Sequence, residues 1–223
     1  MSHQPVELSA SHPQGTTRGR TISWGFAYDH VIRLLTLNRE NALRASTLQV
    51  ADIHPGDVIL DVGCGTGTLT LRAKTKTGQE GSAFGIDASP QMIEVARRKA
   101  SNTRSDVTFK VGVIEALDFA DDTFDVVLSS LMMHHLPEDV KQRGLMEIRR
   151  VLKPNGSVLI VDFENPANLS GLVRLLHHDM TSDLHKLIPM MQAIGFTQVE
   201  SGNLAIRGTG YIRARRPGTG HGQ

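Results

Sequence analysis

Two patterns of apolar and polar positions alternate along most of the chain. In the first, apolar residues form short, nearly continuous runs, which is typical of strands buried on both faces of a parallel sheet. These runs lie near residues 57–62, 82–87, 106–111, 124–130 and 156–163. In the second, apolar residues recur at helical spacing, near residues 67–76, 89–101 and 137–152. Strict alternation of the two patterns predicts an α/β fold, a doubly wound sheet with helices on both faces.

The pattern changes on either side of this alternation. Helical spacing predicts two N-terminal cap helices, at 24–37 and 39–50, and further helical segments at 165–180 and 182–194. Two final strands are predicted near residues 196–200 and 204–213. The expected organisation is a disordered lead at 1–20, one domain at 21–214 with cap helices about 24–51 and 165–194, and a flexible tail at 215–223.

The most informative segment joins the first strand to the helix after it. Residues 59–70 read ILDVGCGTGTLT, an apolar run that ends in Asp61 and is followed by Gly63, Gly65 and Gly67. Because such a loop carries few side chains, a ligand can lie directly against its backbone N–H groups. The carboxylate of Asp61 can bind a cationic or hydroxyl-bearing group. The segment therefore predicts a small-molecule cofactor site.

Three classes of cofactor compete for this loop. A mononucleotide P-loop ends in Gly-Lys-Ser/Thr, whereas here Gly67 precedes Thr68 and no lysine occurs before Lys74. A dinucleotide fingerprint needs a third small residue where this chain has Thr68, which weakens the pyrophosphate interpretation without removing it. S-Adenosylmethionine carries no phosphate, and its sulfonium and amino groups are positive. The acidic Asp61 suits that cofactor better than it suits a pyrophosphate.

A second carboxylate supports a nucleoside ligand. The run SAFGID at residues 82–87 ends in Asp87, about 20 residues beyond the loop, the spacing at which βαβ folds place an acid on the ribose hydroxyls. The alternative is that Asp87 only precedes a helix that starts at Ser89 and Pro90. We favour ribose binding, which the dinucleotide and S-adenosylmethionine interpretations share.

Four ordered segments give the chain a resemblance to the class I S-adenosylmethionine-dependent methyltransferases. They read ILDVGCGTGTLT, GIDASPQMIEVAR, GVIEALDFADDTFDVVLSSLMMHHLPED and EIRRVLKPNGSVLIVDF, within residues 28–213. In AYDHVIRLL and VDFENP the chain is most similar to ubiquinone/menaquinone-biosynthesis C-methyltransferases and their small-molecule relatives. The resemblance implies a Rossmann-like sheet with an antiparallel final strand. It also implies S-adenosyl-L-methionine as cofactor, with S-adenosyl-L-homocysteine as product.

Ligands of open α/β sheets lie at the carboxyl ends of the strands, near the point where the strand order reverses. Asp61 and the glycine loop would there hold the methionine part of the cofactor, and Asp87 the ribose. Together with the aromatic residue of the segment AYD, the expected cofactor-binding residues are Tyr28, Asp61, Gly63, Cys64, Gly65, Thr66, Gly67, Asp87, Ala88, Met92, Val113, Ile114, Ser129 and Ser130.

The resemblance assigns the adenine end of this set. Related enzymes carry an Asp or Asn that bonds the adenine amine at the position of Val113. Since valine cannot do so, we expect recognition by the Ile114 backbone and by apolar contacts from Met92 and Ala88, with a modest loss of selectivity.

Three further residues have more than one interpretation. Ser130 matches a cofactor-side position of the quinone enzymes. Tyr28 matches a region whose aromatic side chain closes over the cofactor in relatives, and a core position is an equal alternative. Cys64 is expected in the loop for its small size rather than for nucleophilic chemistry.

Two adjacent histidines, His134 and His135, follow the fourth strand on the acceptor side of the expected crevice. A neutral imidazole can take a proton from an acceptor oxygen, nitrogen or activated carbon, so both are candidate catalytic bases. The alternative is that the sequence HHL merely ends a loop and starts a helix.

Methionines and leucines are concentrated in the segments expected near the acceptor. They form either core or an adaptable surface for a hydrophobic acceptor such as a prenylated or polyketide-like ring. These residues are Met132, Met133, Met180, Met190, Met191, Leu169, Leu172 and Leu176. A polar cluster has no fixed metal-ligand spacing, so we expect a solvated helix end and no metal site. It consists of His177, His178, Asp179, Asp183 and His185.

Composition changes this picture only at its margins. The chain has 223 residues, 39% hydrophobic and 21% charged, which suits one globular domain. A formal net charge of +1 gives no field that would gather nucleic acid. A single cysteine, no signal peptide and no apolar run that could span a bilayer predict a cytoplasmic protein. The C-terminal arginines are expected to form a solvated strand end: Arg207, Arg213, Arg215 and Arg216.

The predicted function is methyl transfer from S-adenosylmethionine to a small, apolar or aromatic acceptor, such as a quinone or natural product, by in-line displacement. The alternatives are a non-catalytic S-adenosylmethionine-binding partner protein and an NAD-dependent oxidoreductase. A nucleic-acid or protein methyltransferase is disfavoured, because residues 129–132 (SSLM) supply neither an Asn-Pro-Pro-aromatic tetrapeptide nor a basic face. The acceptor and the oligomeric state, a homodimer included, stay open.

Overall fold

The computed structural model describes residues 40–164, 184–204 and 208–218. Within them, seven strands form one sheet in the order β3-β2-β1-β4-β5-β7-β6. The strands are β1 (Val58–Val62), β2 (Ser82–Asp87), β3 (Thr108–Val111), β4 (Phe124–Ser130), β5 (Leu152–Phe163), β6 (Thr197–Asn203) and β7 (Thr209–Arg215). Neighbouring strands from β3 to β5 are parallel, and β7 is antiparallel to both β5 and β6. The predicted doubly wound sheet with an antiparallel final strand is confirmed.

Helices cover both faces of this sheet. They are α1 (Glu40–Val50), α2 (Thr68–Thr77), α3 (Pro90–Thr103), α4 (Glu138–Val151) and α5 (Leu187–Ile194), with 3₁₀ turns at Met133–His135 and Leu184–Lys186. Helix α3 starts as its sequence dictates: Ser89 accepts a hydrogen bond from the Met92 N–H at 3.4 Å, and Pro90 occupies the first turn, where its missing N–H costs nothing.

Alternation along the strands divides the core into two clusters. Leu60 of β1 belongs to the cluster that includes the buried faces of α4 and α5. Ile59, one residue earlier, belongs to the cluster that includes α1, α2 and α3. Because successive side chains of a strand point to opposite faces, Asp61 shares the face of Ile59 and of those three helices.

Most predicted boundaries agree with the structure to within two or three residues, and the largest differences are in β5, in β7 and in α5, which begins at Leu187 after a 3₁₀ turn although a helix was expected from residue 182. The strand expected at 156–163 begins at Leu152, because Leu152 pairs with Phe124 while Ser157 pairs with Val126. The KPNG segment between them is an irregularity within the pairing, with Asn155 in the left-handed region (φ 65°). β7 spans Thr209–Arg215 rather than 204–213, so it extends one residue past the expected domain end.

Several predictions lie outside the described residues. These are the first cap helix at 24–37 with Tyr28, and the segment 165–180 with its leucines and Met180. Of the polar cluster near the second cap, only His185 is described, in the turn Leu184–Lys186. Among the residues that are described, no helix is long and apolar enough to cross a membrane.

Candidate active site

The glycine loop between β1 and α2 is shaped by backbone conformations that favour glycine. Gly63, Gly65 and Gly67 have φ values of 74°, 54° and 75°. A Cβ on Gly63 would lie 2.4 Å from Cγ of Met132, and one on Gly67 would lie 2.5 Å from Cζ of Phe109. The loop therefore combines three residues in the left-handed backbone region with close packing against Met132 and Phe109.

The expectation that this loop offers its N–H groups to a ligand is wrong for most of them. The amides of Gly63 and Cys64 both donate to the Ile86 carbonyl oxygen at 2.9 Å, and the amide of Gly67 donates to Cys64 at 3.0 Å. The Gly65 amide donates to Oδ2 of Asp87 at 2.9 Å. Three of these donors hold the loop to β2 and the fourth closes a turn within it, so they are not arranged as a phosphate cradle.

Asp61 is the buried acid of the site, with 1% of its surface exposed. Its Oδ2 accepts a hydrogen bond from Thr70 Oγ1 at 2.7 Å, which ties the end of β1 to α2. Burial raises the pKa of Asp61 from 3.8 to about 7. The Thr70 hydrogen bond opposes that rise, the charge of Asp87 adds to it, and the charge of Arg44 opposes it. A cation bound beside this carboxyl group would favour its ionised form.

A cleft opens over the loop beneath α1. It is lined by Glu40, Leu43, Arg44, Asp61, Gly63, Cys64, Gly65, Thr66, Leu69, Ser130 and Leu131. Five of the residues expected to bind the cofactor's methionine end meet here, together with Ser130.

Sequence reasoning missed the contribution of α1 to this cleft. Arg44 and Glu40 form an ion pair one helical turn apart, and both side chains are largely buried. The available signal was an acid and a base at i, i+4 on a helix placed just before the first strand. As a result, a positive and a negative side chain, Arg44 and Asp61, line the same cleft.

Asp87 is the second acid, and both of its oxygens accept backbone hydrogen bonds. Oδ2 accepts from Gly65, and Oδ1 accepts from the Ser89 N–H at 2.8 Å. Burial raises the pKa of Asp87, and these two hydrogen bonds oppose the rise. Asp87 therefore does bond the backbone at the start of α3, as the alternative interpretation expected. Ribose binding stays a prediction, and it would use the remaining lone pairs of the carboxylate.

The residues expected at the adenine end lie apart from the cleft lining. Met92 and Ile114 are buried, and a Cβ on Gly144 of α4 would lie 2.6 Å from Ile114 Cγ1. Val113 forms an isolated antiparallel bridge with Ala116, which orients the backbone after β3. Ala88 is partly exposed between β2 and α3. Their roles in adenine binding remain predictions.

Ser129 is a buried polar group in this region, and Cys64 is a partly buried one. Ser129 lies next to Ser130 at the end of β4, and its Oγ has no hydrogen-bond partner among the described residues. Burial raises the pKa of the Cys64 thiol well above its usual value, with further increases from Asp61 and Asp87. A neutral thiol fits the expectation that Cys64 is present for its size.

The two histidines after β4 occupy different surroundings. His134 contacts Asp162 of β5, with Nδ1 and Oδ1 at 2.6 Å and only 2% of the His134 side chain exposed. His135 lies against it, with ring centroids 3.9 Å apart. Sequence reasoning missed Asp162, although the signal was present: β1, β2 and β5 each carry an aspartate at or near the carboxyl end.

The methionines expected near the acceptor divide between core and site. Met133 and Met191 are completely buried in the core. Met132 is partly buried and lies against Gly63 of the loop. Of these three, Met132 alone can line an acceptor site beside the cleft.

Comparison with known proteins agrees with this geometry. Residues 59–156 match the family model described as a methyltransferase domain. Residues 59–156 thus form a methyltransferase domain, and the strand order and the β1 loop support the class I S-adenosylmethionine-dependent type, with S-adenosyl-L-methionine as cofactor.

Among curated relatives, the chain is 32% identical over 143 residues to a demethylmenaquinone methyltransferase of Lactobacillus johnsonii, covering 63% of this chain and 58% of the relative. It is 34% identical over 157 residues to an arsenite methyltransferase of Halobacterium salinarum, covering 67% and 40%. The chain thus spans less than two thirds of the length of these relatives. In fold it resembles an S-adenosylmethionine-dependent methyltransferase of Aquifex aeolicus, with a TM-score of 0.72, 19% identity and coverage of 84% and 97%.

The donor groups of the cleft fit S-adenosylmethionine. Its amino-acid end carries an ammonium and a carboxylate, and the cleft presents Asp61 and Arg44. A pyrophosphate would need free N–H donors, whereas those of Gly63, Cys64 and Gly65 already bond the protein. This argues against the dinucleotide alternative.

Proposed function

We propose that this chain transfers a methyl group from S-adenosyl-L-methionine to a small apolar or aromatic acceptor of the quinone class. The observation that carries the donor half of the proposal is that a buried acid, Asp61, and a cationic side chain, Arg44, line one cleft over the glycine loop. Asp61 would bind the donor's ammonium group and Asp87 its ribose. The chain would supply orientation and a site from which water is excluded, since the bound donor brings an activated methyl group.

The acceptor half is proposed for the carboxyl ends of β4 and β5. Ser130 and Leu131 line the donor cleft, and the His134–His135 pair follows three residues later. The relative from Lactobacillus johnsonii is named for demethylmenaquinone, which supports a quinone-type acceptor. We propose that the base, where the reaction needs one, comes from this histidine pair.

Two measurements test the proposal in sequence. Isothermal titration calorimetry with S-adenosylhomocysteine should give micromolar binding, and Asp61→Ala should weaken it at least tenfold. Incubation with methyl-labelled S-adenosylmethionine and a reduced short-chain demethylmenaquinone should then give a methylated quinone. Absence of donor binding would overturn the whole proposal.

The same assay tests the other acceptor named among the relatives. Arsenite replaces the quinol in a second incubation, and a metabolite extract replaces it in a third. Methylated arsenic with no methylated quinone would reject the quinone class. Donor binding without a labelled product from any of the three would favour the non-catalytic partner protein.

A further inference from the structure

His134 and Asp162 form a buried contact at the carboxyl ends of β4 and β5. Oδ1 of Asp162 lies 2.6 Å from His134 Nδ1 and accepts the Phe163 N–H at 2.8 Å. Oδ2 accepts the backbone N–H of His134 at 2.9 Å. Asp162 has no exposed surface. The carboxylate therefore fixes both the backbone and the ring of His134.

The other ring nitrogen lacks a corresponding partner. His134 Nε2 is buried and makes no hydrogen bond within residues 40–164, 184–204 and 208–218. A carboxylate accepts hydrogen bonds at both oxygens, so the proton of a neutral ring is placed on Nδ1 and Nε2 keeps a free lone pair. A pair that served only to join two strands would not need an imidazole with one unpartnered nitrogen.

Sheet register places this pair beside the donor cleft. Ser130, which lines the cleft, pairs with Val161 of β5, and the Leu131 amide donates to the Val161 carbonyl oxygen at 2.8 Å. Asp162 is the next residue of β5. The pair thus lies at the same edge of the sheet as the glycine loop, with His134 following β4, the neighbour of β1, and Asp162 on β5 beyond it.

We propose that Asp162 is a positioning residue that holds His134 as the Nδ1–H tautomer, so that Nε2 acts as the catalytic base toward the acceptor. This inference rests on the proposed function. His134 Nε2 takes a proton from an O–H, N–H or acidic C–H group of the acceptor, and the electron pair left behind forms the bond to the methyl carbon. In a quinol that pair acts through the ring carbon that the oxyanion activates, and the ring carbon then loses its own proton to water. The sulfur–methyl bond breaks with its electrons going to sulfur, and the histidinium proton passes to water.

The proposal narrows the acceptor class. A quinol hydroxyl must lose a proton to become a strong nucleophile, and a base contributes about 10²–10⁴-fold to such a step. Trivalent arsenic attacks through a lone pair it already holds, so it gains nothing from the base. The pair favours an acceptor with an ionisable proton.

The first test reads the tautomer directly and needs no acceptor. Long-range ¹H–¹⁵N correlation spectra of the ¹⁵N-labelled chain at pH 8 would be recorded, with His134 identified by signals lost in His134→Gln. We expect a protonated Nδ1 and an unprotonated Nε2, and a shift toward Nε2–H in Asp162→Asn, because an amide can donate to Nδ1. A wild-type ring protonated at Nε2, or no change in Asp162→Asn, would overturn the proposal.

The second test uses turnover of the reduced demethylmenaquinone. Asp162→Asn and His134→Gln should each lower kcat about 10²-fold or more while the dissociation constant of S-adenosylhomocysteine changes less than twofold. The pH dependence of kcat should also differ between Asp162→Asn and the wild type. The titratable groups facing the ring among the described residues are Asp162 and His135.

The matched control is Asp125→Asn. Asp125 also accepts a backbone N–H, that of Val58 at 2.9 Å, and pairs with Lys153 near the opposite end of β4. It should leave kcat and the pH profile unchanged. Wild-type kcat in Asp162→Asn would reject the positioning role. If the spectra show the expected tautomer but the quinol is not methylated, the proposed acceptor is rejected, while the positioning of His134 by Asp162 stands.

Discussion

At the scale of single residues, the site is governed by one buried acid and the charge beside it. Asp61 is held at the end of β1 with Thr70 as its hydrogen-bond partner, in a place where its charged form is poorly solvated. Arg44 offsets part of that cost. A buried acid in this position is preorganised to bind a cation, and its burial lowers the free energy of unfolding of the protein.

The first prediction concerns the effect of buried Asp61 on the free energy of unfolding. The pKa of Asp61 is about 7 in the folded chain against 3.8 for an ordinary aspartate side chain. Between these values the folded state holds a proton that the unfolded state has lost, so the free energy of unfolding falls as the pH rises through this window. The full loss, reached above pH 7, is about 4 kcal/mol at most.

Asp61→Asn removes this titration and keeps an acceptor for Thr70. In urea unfolding without ligand, the variant should gain stability over the wild type by about 2 kcal/mol more at pH 8 than at pH 5. Binding of S-adenosylhomocysteine should be lost in the same variant. An equal difference at both pH values would contradict the assignment of the titration to Asp61.

The second prediction concerns Arg44. If its guanidinium holds the donor's carboxylate, Arg44→Met should weaken S-adenosylhomocysteine binding about 10- to 100-fold, as expected for a charge-assisted hydrogen bond. Decarboxylated S-adenosylmethionine, which lacks that carboxylate, should bind both forms about equally. Arg72→Met is the control, since Arg72 bonds Asn41 on an exposed surface. Equal weakening for both ligands would show that Arg44 acts otherwise.

At the scale of elements, the junction of β1 and α2 depends on glycines with a defined packing role. Gly67 precedes α2 with φ 75°, and Phe109 of β3 occupies the space where a Cβ would lie. The loop is therefore fastened to the neighbouring strands as well as bent, which explains why its amides bond β2 rather than a ligand.

The third prediction follows from that packing. Gly67→Ala should lower the free energy of unfolding by about 2–4 kcal/mol, because it adds a clash to an unfavourable φ. Gly56→Ala is the matched control: its φ is 92°, but a Cβ there meets nothing within 4 Å. It should cost only about 1 kcal/mol. Urea unfolding of both variants would distinguish clash from backbone strain, and equal losses would remove the packing argument.

At the scale of the whole molecule, distant segments are joined by an arginine that composition assigned to a solvated end. Arg216 Nη1 donates to the carbonyl oxygens of Arg149 and Arg150 at 3.2 and 3.0 Å, and also bonds Leu152 and Asp122. Arg213 pairs with Glu200 at 2.8 Å. Arg215 lies 3.9 Å from Asp52, so the three described C-terminal arginines all have acidic partners elsewhere in the chain.

The fourth prediction is that Arg216→Ala costs about 1.5–3 kcal/mol of stability, because it removes the Arg216 donor from the Arg149 and Arg150 carbonyl oxygens at the end of α4. The Arg150 oxygen keeps the Asp122 N–H, at 3.2 Å. Arg143→Ala should cost less than about 0.5 kcal/mol, since the Arg143–Asp139 pair is half exposed on the surface of α4. Thermal or urea unfolding measures both. A loss for Arg216→Ala no larger than that for Arg143→Ala would contradict this role.

Local pattern was enough to predict the strands from 57–62 to 124–130, the helices between them and the acids Asp61 and Asp87, because burial imposes a period that is visible in the sequence. The direction of β7 was expected only through the family resemblance. The start of β5 was expected at residue 156, four residues too late, since the pairing of Leu152 with Phe124 depends on a partner strand that no local pattern records.

The sequence by itself determined the layers of the sheet, the glycine loop and the class of cofactor, since each depends on residues close together in the chain. Tertiary structure alone decided which groups meet. It placed Arg44 over Asp61, Asp162 against His134, and the loop amides on β2. Hydrogen bonds and ion pairs between segments tens of residues apart depend on how the strands are ordered, and no local period records that order.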